Sequence, residues 1–448
     1  MTKDNSTDPS ISRRKLLGAT AGGAISAMLA GCSGGNGSDG TTTSGDGGGG
    51  TTTSQWATDA PLEVLHAWTG GDGALAVEKL TSMFKEQYPE VPTDFKPIGG
   101  TGNVNLNSVI ARRLANDNPP SSFQAWPGEN LKQYEGTLTS VTSVWEEQGY
   151  VDTMNQTAAE LAKQNGEYRS MPLGSHRMNN LFYNISVLES AGVDPASIDS
   201  PSALVDALDT IGTETDAVPM AQAMKAPWTN LQLWVEVMLG QEGYQAYMDW
   251  TKGNGDKAKV ASALETTKTM LKNYINEDAA TISFTQANDK VMNGNAGVIH
   301  QGNWVYGMYR SSDSFNYQED WGWVAFPGTE DMYTLHIDAF TFPANNPTPE
   351  KKDVWAKFLG QKDAQVAFNN RKGSVPLRMD VDGTKLTDFL QMTWKDLTSK
   401  PKQPPTLAHG LAVPPEQLGK AKSAIGNNFM GPFDVDATAQ ALMDAVSQ

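Results

Sequence analysis

"LEVLHAWTGGDGALAVEKLTSMFKEQYP" (Leu62–Pro89) reads as strand, turn and helix in a single pass. Leu62–Trp68 is a short, largely apolar run, as a strand buried on both faces requires. After the turn "TGGDG", the stretch Ala74–Tyr88 places Ala76, Val77, Leu80, Met83 and Phe84 at helical spacing, and Pro89 closes it. The same alternation continues. Val91–Ile98 reads as a second strand, "GGTGN" leads into a helix over Val104–Asn116, and Asn118-Pro119-Pro120 stops it before a third strand in "SSFQAW". This β-α-β-α-β opening predicts an α/β fold with a parallel sheet covered by helices.

In such sheets ligands bind beyond the carboxyl ends of the strands. Those ends are "HAWTGGDG" and "FQAWPGEN", which carry Trp68, Gln124 and Trp126. Further along, Asn230–Leu239, Lys259–Tyr274 and Ser283–Trp304 are helix-rich, the last with a strand "AGVIH" between two turns. "WGWVAFPG" and "TLHIDAFTFP" read as strands, and Glu350–Arg378 as a helix pair followed by an extended crossing.

The N-terminal region has a different character. In "SRRKLLGATAGGAISAMLAGC" (Ser12–Cys32), a twin-arginine start precedes an uncharged run, Leu16–Ala30, too short to span about 30 Å of hydrocarbon as a helix. Leu29-Ala30-Gly31-Cys32 resembles a lipobox, in which the cysteine is lipidated and becomes the new N-terminus. Residues 1–31 are therefore expected to be an export signal. Cys32 is the only cysteine of the 448 residues, so no disulfide framework and no Cys-based metal site is expected. Residues 33–59 are mostly Gly, Ser and Thr, too polar to bury a core, and are expected to be a flexible linker.

About 390 residues remain, more than the roughly 250–300 at which one hydrophobic core stops growing, so two lobes are expected. Thirty-four Lys and Arg stand against 51 Asp and Glu, a net charge of −17. That field argues against nucleic acid and anionic membrane surfaces as partners and fits solubility at high salt.

The stretches Leu62–Pro89, "PPSSFQAW", "MPLGSHRMNNLFYN", "QANDKVMNGNAGVIHQGNW", "RKGSVPLR" and "LAHGLAVPPE" follow in an order and spacing that resemble the extracellular solute-binding proteins of carbohydrate ABC importers, notably the glucose-type proteins of salt-loving archaea. The resemblance runs from about residue 62 to 416. It implies a two-lobed, type II periplasmic-binding-protein-like fold with the ligand in the cleft. Lobe 1 would hold 60–172 and 338–372, and lobe 2 would hold 173–337 and 373–448. Hinge crossings would fall near Met171-Pro172, His336–Asp338 and Gly373–Pro376. The resemblance implies a sugar-contacting set of Trp68, Gln124, Trp126, His176, Trp228, Asn303, Trp304, Asp338, Lys372 and His409. Two positions depart from the family pattern: Trp126 stands where close relatives often have histidine, and Asn303 where they often have aspartate. It further implies a monomer that hands a sugar to membrane permease subunits, without cofactor, metal or catalysis, held at the outer face of the membrane by a lipid on Cys32.

These residue types suit a pyranose. An indole covers its apolar C–H face, while amide, carboxylate, ammonium and imidazole groups meet its hydroxyls. Trp234, Trp250 and Trp355 lie on expected helices and read as core, Trp321 and Trp323 as strand residues facing opposite sides, and His66 as structural. Asn155 and Asn184 begin glycosylation sequons, a weak signal alone. Two alternatives remain at this point. A binder of a polyol phosphate or organic anion needs converging arginines, for which Arg177, Arg371 and Arg378 are the candidates. A glycoside hydrolase needs two carboxyls across a sugar.

Overall fold

The parallel opening is present, and two later strands complete its sheet in the opposite direction. The computed structural model describes residues 56–99, 103–312 and 314–447. The expected export signal, Cys32 and most of the expected linker lie outside the described residues. The described residues form one compact unit.

The strands among the described residues are β1 (Leu62–His66), β2 (Thr93–Pro97), β3 (Ser122–Ala125), the short pair β4 (Lys163–Gln164) and β5 (Glu167–Tyr168), β6 (Ser170–Arg177), β7 (Asn180–Asn184), β8 (Val218–Met220), β9 (Ala296–His300), β10 (Trp321–Ala325) and β11 (Leu335–Thr341). A five-stranded sheet has the order β2-β1-β3-β11-β6, and a four-stranded sheet the order β10-β7-β9-β8. β1 pairs in parallel with β2 and β3, whereas β11 runs antiparallel to both β3 and β6. The helices Gly71–Gln87 and Val104–Ala115 connect the parallel strands. Phe84 of the first helix packs edge-on against Trp355 and Phe358, joining that helix to Pro349–Leu359.

β6 and β11 decide where the site forms. Both are buried along their whole length, yet they contain Ser175, His176, Arg177, His336 and Asp338. Polar groups in a buried strand require partners, so these strands need an internal polar network or a ligand. The three segments expected as crossings meet here. Ala339 pairs with Pro172 in the antiparallel ladder, beside a register shift between Asp338 and Ala339. Ser175 and Val375 exchange backbone hydrogen bonds of 2.8 and 2.9 Å. Gly373 makes the third segment possible. Its φ is +76°, and a Cβ there would lie 2.8 Å from Gly307 N and 3.0 Å from Asn303 O.

The core contains Trp234, Trp250 and Trp355, as expected from their helical positions, and also Trp321. Trp323, two residues after Trp321 on β10, shares its face instead of opposing it, since strand side chains alternate with period two and both rings pack against Phe389. Trp323 is half-buried, with Arg177 over its ring at 4.7 Å. The end of the expected linker differs from its expectation. Trp56 Nε1 donates to Glu90 O, Ala57 N donates to Glu350, and Lys351 Nζ donates to the carbonyls of Thr58 and Ala60. The indole and these carbonyls give residues 56–60 a fixed attachment that composition alone does not indicate. Asn155 and Asn184 are buried helix caps, accepting from Ala158 N and Val187 N, which puts both sequons out of reach of a glycan.

Candidate functional site

Beyond the ends of β1 and β3 opens a cavity of roughly 640 Å³, within the range of about 300–1,000 Å³ usual for small-molecule sites. Trp68 follows β1 by two residues and Trp126 follows β3 directly, so the parallel strands deliver both indoles to its wall. Gln124, at the end of β3, turns its Oε1 to accept from Ala67 N at 2.8 Å. That leaves its amide NH₂ as the donor for the cavity it lines.

Opposite stand Trp228, at the start of the helix Pro227–Thr251, and Trp304, at the start of Trp304–Tyr309. The two rings meet edge-on at 6.3 Å, and His409 lies within 5.8 Å of each. Phe284 packs against Trp228 at 5.8 Å. Four indoles, a phenyl ring and several polar groups therefore line one space.

The polar floor is built on β6 and β11. His176 and His336 are directly opposed in the antiparallel register, and Asp338 follows His336 by two residues on the strand. Asp338 Oδ2 lies 3.6 Å from His176 Nε2, and its Oδ1 lies 3.6 Å from His336 Nε2. Burial works to raise the Asp338 pKa. The His336 imidazole and the Lys372 ammonium outweigh it and hold the carboxyl well below its ordinary range. His176 is lowered to about 4, first by burial and then by Lys372, against the pull of Asp338. His409 is lowered well below its usual value by burial and by neighbouring His336. At neutral pH the floor thus holds an ionised carboxylate between imidazoles, two of them held neutral.

Nine of the ten residues expected to contact a ligand line this cavity: Trp68, Gln124, Trp126, His176, Trp228, Trp304, Asp338, Lys372 and His409. Asn303 does not. It is buried behind His176, its Oδ1 2.6 Å from His176 Nδ1. His66, expected to be structural, is buried and stacks on Trp68 at 6.0 Å.

Among the lining residues outside the expected set are His336, Lys422, Asn103 and Phe284. His336 had a legible signal, since a residue two positions before Asp338 on a strand shares its face. Lys422 had none. It sits near the end of the helix Pro415–Ala424, directly before a π-helical turn, Ile425–Phe429, that alters the facing of the residues around it. Burial lowers its pKa to about 8, and it makes no ion pair among the described residues.

The arginines required by an anion site are elsewhere. Arg177 is buried against Asp396 and Asn179, Arg378 forms a fork with Asp380, and Arg371 is exposed. Asp338 is the single carboxylate lining the cavity among the described residues. A two-carboxyl hydrolytic pair is therefore missing from this lining. No group of three or more His, Cys, Asp or Glu among the described residues is arranged to hold a metal ion.

Comparison with known proteins gives a consistent result. Residues 81–397 match the family described as bacterial extracellular solute-binding protein. The xylose/arabinose-binding protein XacG of Haloferax volcanii is 54% identical over 460 residues, covering 100% of both chains. An uncharacterized ABC transporter extracellular-binding protein of Pyrococcus horikoshii is 27% identical over 461 residues, covering 98% of this chain and 97% of its own. Among solved structures, the galactopyranose-preferring bacterial solute receptor AcbH superposes with a TM-score of 0.74 at 18% identity. It covers 86% of this chain and 97% of the receptor. A structure described for xylan utilization by Caldanaerobius polysaccharolyticus gives a TM-score of 0.76 at 16% identity, covering 87% and 100%. The fold is the α/β, type II architecture of periplasmic binding proteins.

Proposed function

The chain belongs to the bacterial extracellular solute-binding protein family, and we propose that its cavity captures a monosaccharide for delivery to the membrane permease of an ABC importer. It is a binding protein and not an enzyme. The observation that carries the sugar reading is the lining itself. Trp68, Trp126, Trp228 and Trp304 share one cavity with Gln124, Lys372 and the ionised Asp338. Flat aromatic faces for C–H surfaces, combined with polar groups for hydroxyls, are what a pyranose requires.

The aldopentoses xylose and arabinose are the leading candidates, ahead of glucose, because a relative identical at 54% of positions over its whole length carries that description. In this reading each sheet anchors one lobe, the first of 60–172 and 338–372, the second of 173–337 and 373–448. The lobes close about the paired segments at Pro172, Asp338 and Val375, because only the closed form gains contacts from both sides. The protein acts as a monomer on the outer face of the membrane, exported through its twin-arginine signal and tethered by lipid on Cys32. No helix among the described residues is long and apolar enough to cross a membrane.

Intrinsic tryptophan fluorescence tests the reading, since several indoles change surroundings when the cavity fills. Xylose, arabinose and glucose are each titrated into the purified protein, with glycerol phosphate and citrate in parallel. Saturable change with a sugar and none with the anions is expected. Saturation by the anions alone would replace the sugar reading with the anion one.

A further inference from the structure

Asn303 lies outside the cavity lining and is wholly buried behind His176. Its amide oxygen sits 2.6 Å from His176 Nδ1. That oxygen can only accept, so Nδ1 carries the proton in this contact. Turning the amide would set nitrogen against nitrogen at this short separation, which suits the smaller oxygen better, and Asn303 Nδ2 is left without a hydrogen-bond partner among the described residues. Burial and the Lys372 ammonium oppose a second proton on the ring.

A neutral imidazole protonated at Nδ1 presents a bare lone pair at Nε2. This nitrogen is buried, lacks a hydrogen-bond partner and faces Asp338 Oδ2 across 3.6 Å. Two acceptors thus confront one another, and neither can satisfy the other. The groups facing His176 are Asn303 and Trp304 at the turn after β9, His336 and Asp338 on β11, Lys372 on the helix Lys362–Lys372, and His409.

We propose that Asn303 is a positioning residue that holds His176 in its Nδ1–H form, so that His176 Nε2 and Asp338 Oδ2 make a two-acceptor slot for two adjacent ligand hydroxyls, each donating to one of them. The proposal rests on the sugar reading and narrows it to sugars with a free vicinal diol at this place. A carboxylate or phosphate dianion, offering acceptors only, is rejected there.

The nitrogen states of the ligand-free protein provide the first arm of the test. Histidine labelled with ¹⁵N is followed by two-bond ¹H–¹⁵N correlation between pH 5.5 and 8, with His176→Gln assigning the signal. The expected pattern is neutral Nδ1–H throughout. An Nε2–H or doubly protonated ring at pH 7 overturns the proposal. In Asn303→Asp the carboxylate facing Nδ1 should raise the titration of His176 into this range and weaken sugar binding at least about tenfold at pH 6, with recovery as pH rises. An unchanged His176 titration in a folded Asn303→Asp protein also overturns it.

The second arm uses deoxy and fluoro analogues of the bound sugar. Fluorine keeps an acceptor but removes the donor. At two adjacent carbons the fluoro analogue should bind as poorly as the deoxy one. If fluoro analogues bind better than their deoxy counterparts at every position, no donor-demanding slot exists. Failure of the wild-type protein to bind any sugar counts against the functional reading, while the nitrogen signals still judge the role of Asn303.

Discussion

The imidazoles of His176 and His336 lie directly opposite each other on β6 and β11, stacked with 5.7 Å between centroids and 17° between planes. Antiparallel pairing brings together residues 160 positions apart, and the Asp338 carboxylate lies within 3.6 Å of both rings. The charge at the floor of the cavity is thus a consequence of register. A slip of one residue would turn these side chains to the other face.

Asp338→Asn should weaken sugar binding by roughly 10- to 100-fold, since a hydrogen bond to a charged group is worth about 1.5–3 kcal/mol. Isothermal calorimetry reads the affinity, and a melting scan checks that the variant is folded. An affinity within about twofold of wild type would remove Asp338 from the site.

Gly302→Ala tests the aromatic wall without altering a lining residue. A Cβ at Gly302 would collide with the Trp304 ring, so the indole must leave its present position. Sugar affinity should fall by about tenfold while β6 and β11 remain paired. Unchanged affinity, with Trp304 still in place by crystallography, would mean that the turn yields instead of the ring.

Lys422→Met should weaken binding at pH 7 and flatten the alkaline limb of the affinity profile. In the wild type the ammonium is lost as pH rises through about 8, and with it the charged donor. Lys420→Met, exposed on the same helix and paired with Glu416, is the control and should bind normally. An identical alkaline limb in Lys422→Met and wild type would exclude Lys422 from binding.

The pH dependence of stability should have two opposing components. His66 and His176 are lowered to about 4 and His300 to about 3, each chiefly by burial. Between pH 6.5 and 4 the unfolded chain therefore takes up protons that the folded one refuses, and stability is lost as pH falls through this window. Glu236 behaves in the opposite way. Burial raises it to about 8, so the folded state keeps a proton that the unfolded state releases, and stability is lost as pH rises from about 4.5 to 8. Glu236→Gln preserves an acceptor for the Thr334 hydroxyl and should add on the order of a few kcal/mol more stability at pH 8 than at pH 5, read as a larger rise in melting temperature at pH 8. An equal shift at both values would contradict a protonated Glu236 in the native protein.

How far the sequence discloses this molecule depends on whether the signal is local. The strand at Leu62–His66, the helix Gly71–Gln87 and the indoles of Trp68 and Trp126 follow from apolar spacing, punctuation by Pro and Gly, and the strand-end rule. The antiparallel arrival of β11 and β6 in a sheet that begins parallel is a long-range pairing with no local mark. His336 is a mixed case: sharing the face of Asp338 is a local mark, whereas its opposition to His176 comes only from the long-range pairing. Asn303 carried the right kind of side chain for a ligand contact, but the turn after β9 places it one layer back. Asn155 and Asn184 illustrate the reverse case: a sequon is local, whereas the burial that closes it is tertiary.

The central claim, that one monosaccharide occupies the cavity lined by Trp126, Asp338 and Lys422, is tested most directly by calorimetric titration of the purified protein. Xylose and arabinose are titrated first and glucose after them, into the wild type and into Asp338→Asn. A single site of 1:1 stoichiometry for at least one of these sugars, severely weakened in Asp338→Asn, is the predicted result. Absence of heat with all three at millimolar concentration, or binding that Asp338→Asn leaves unchanged, would contradict it.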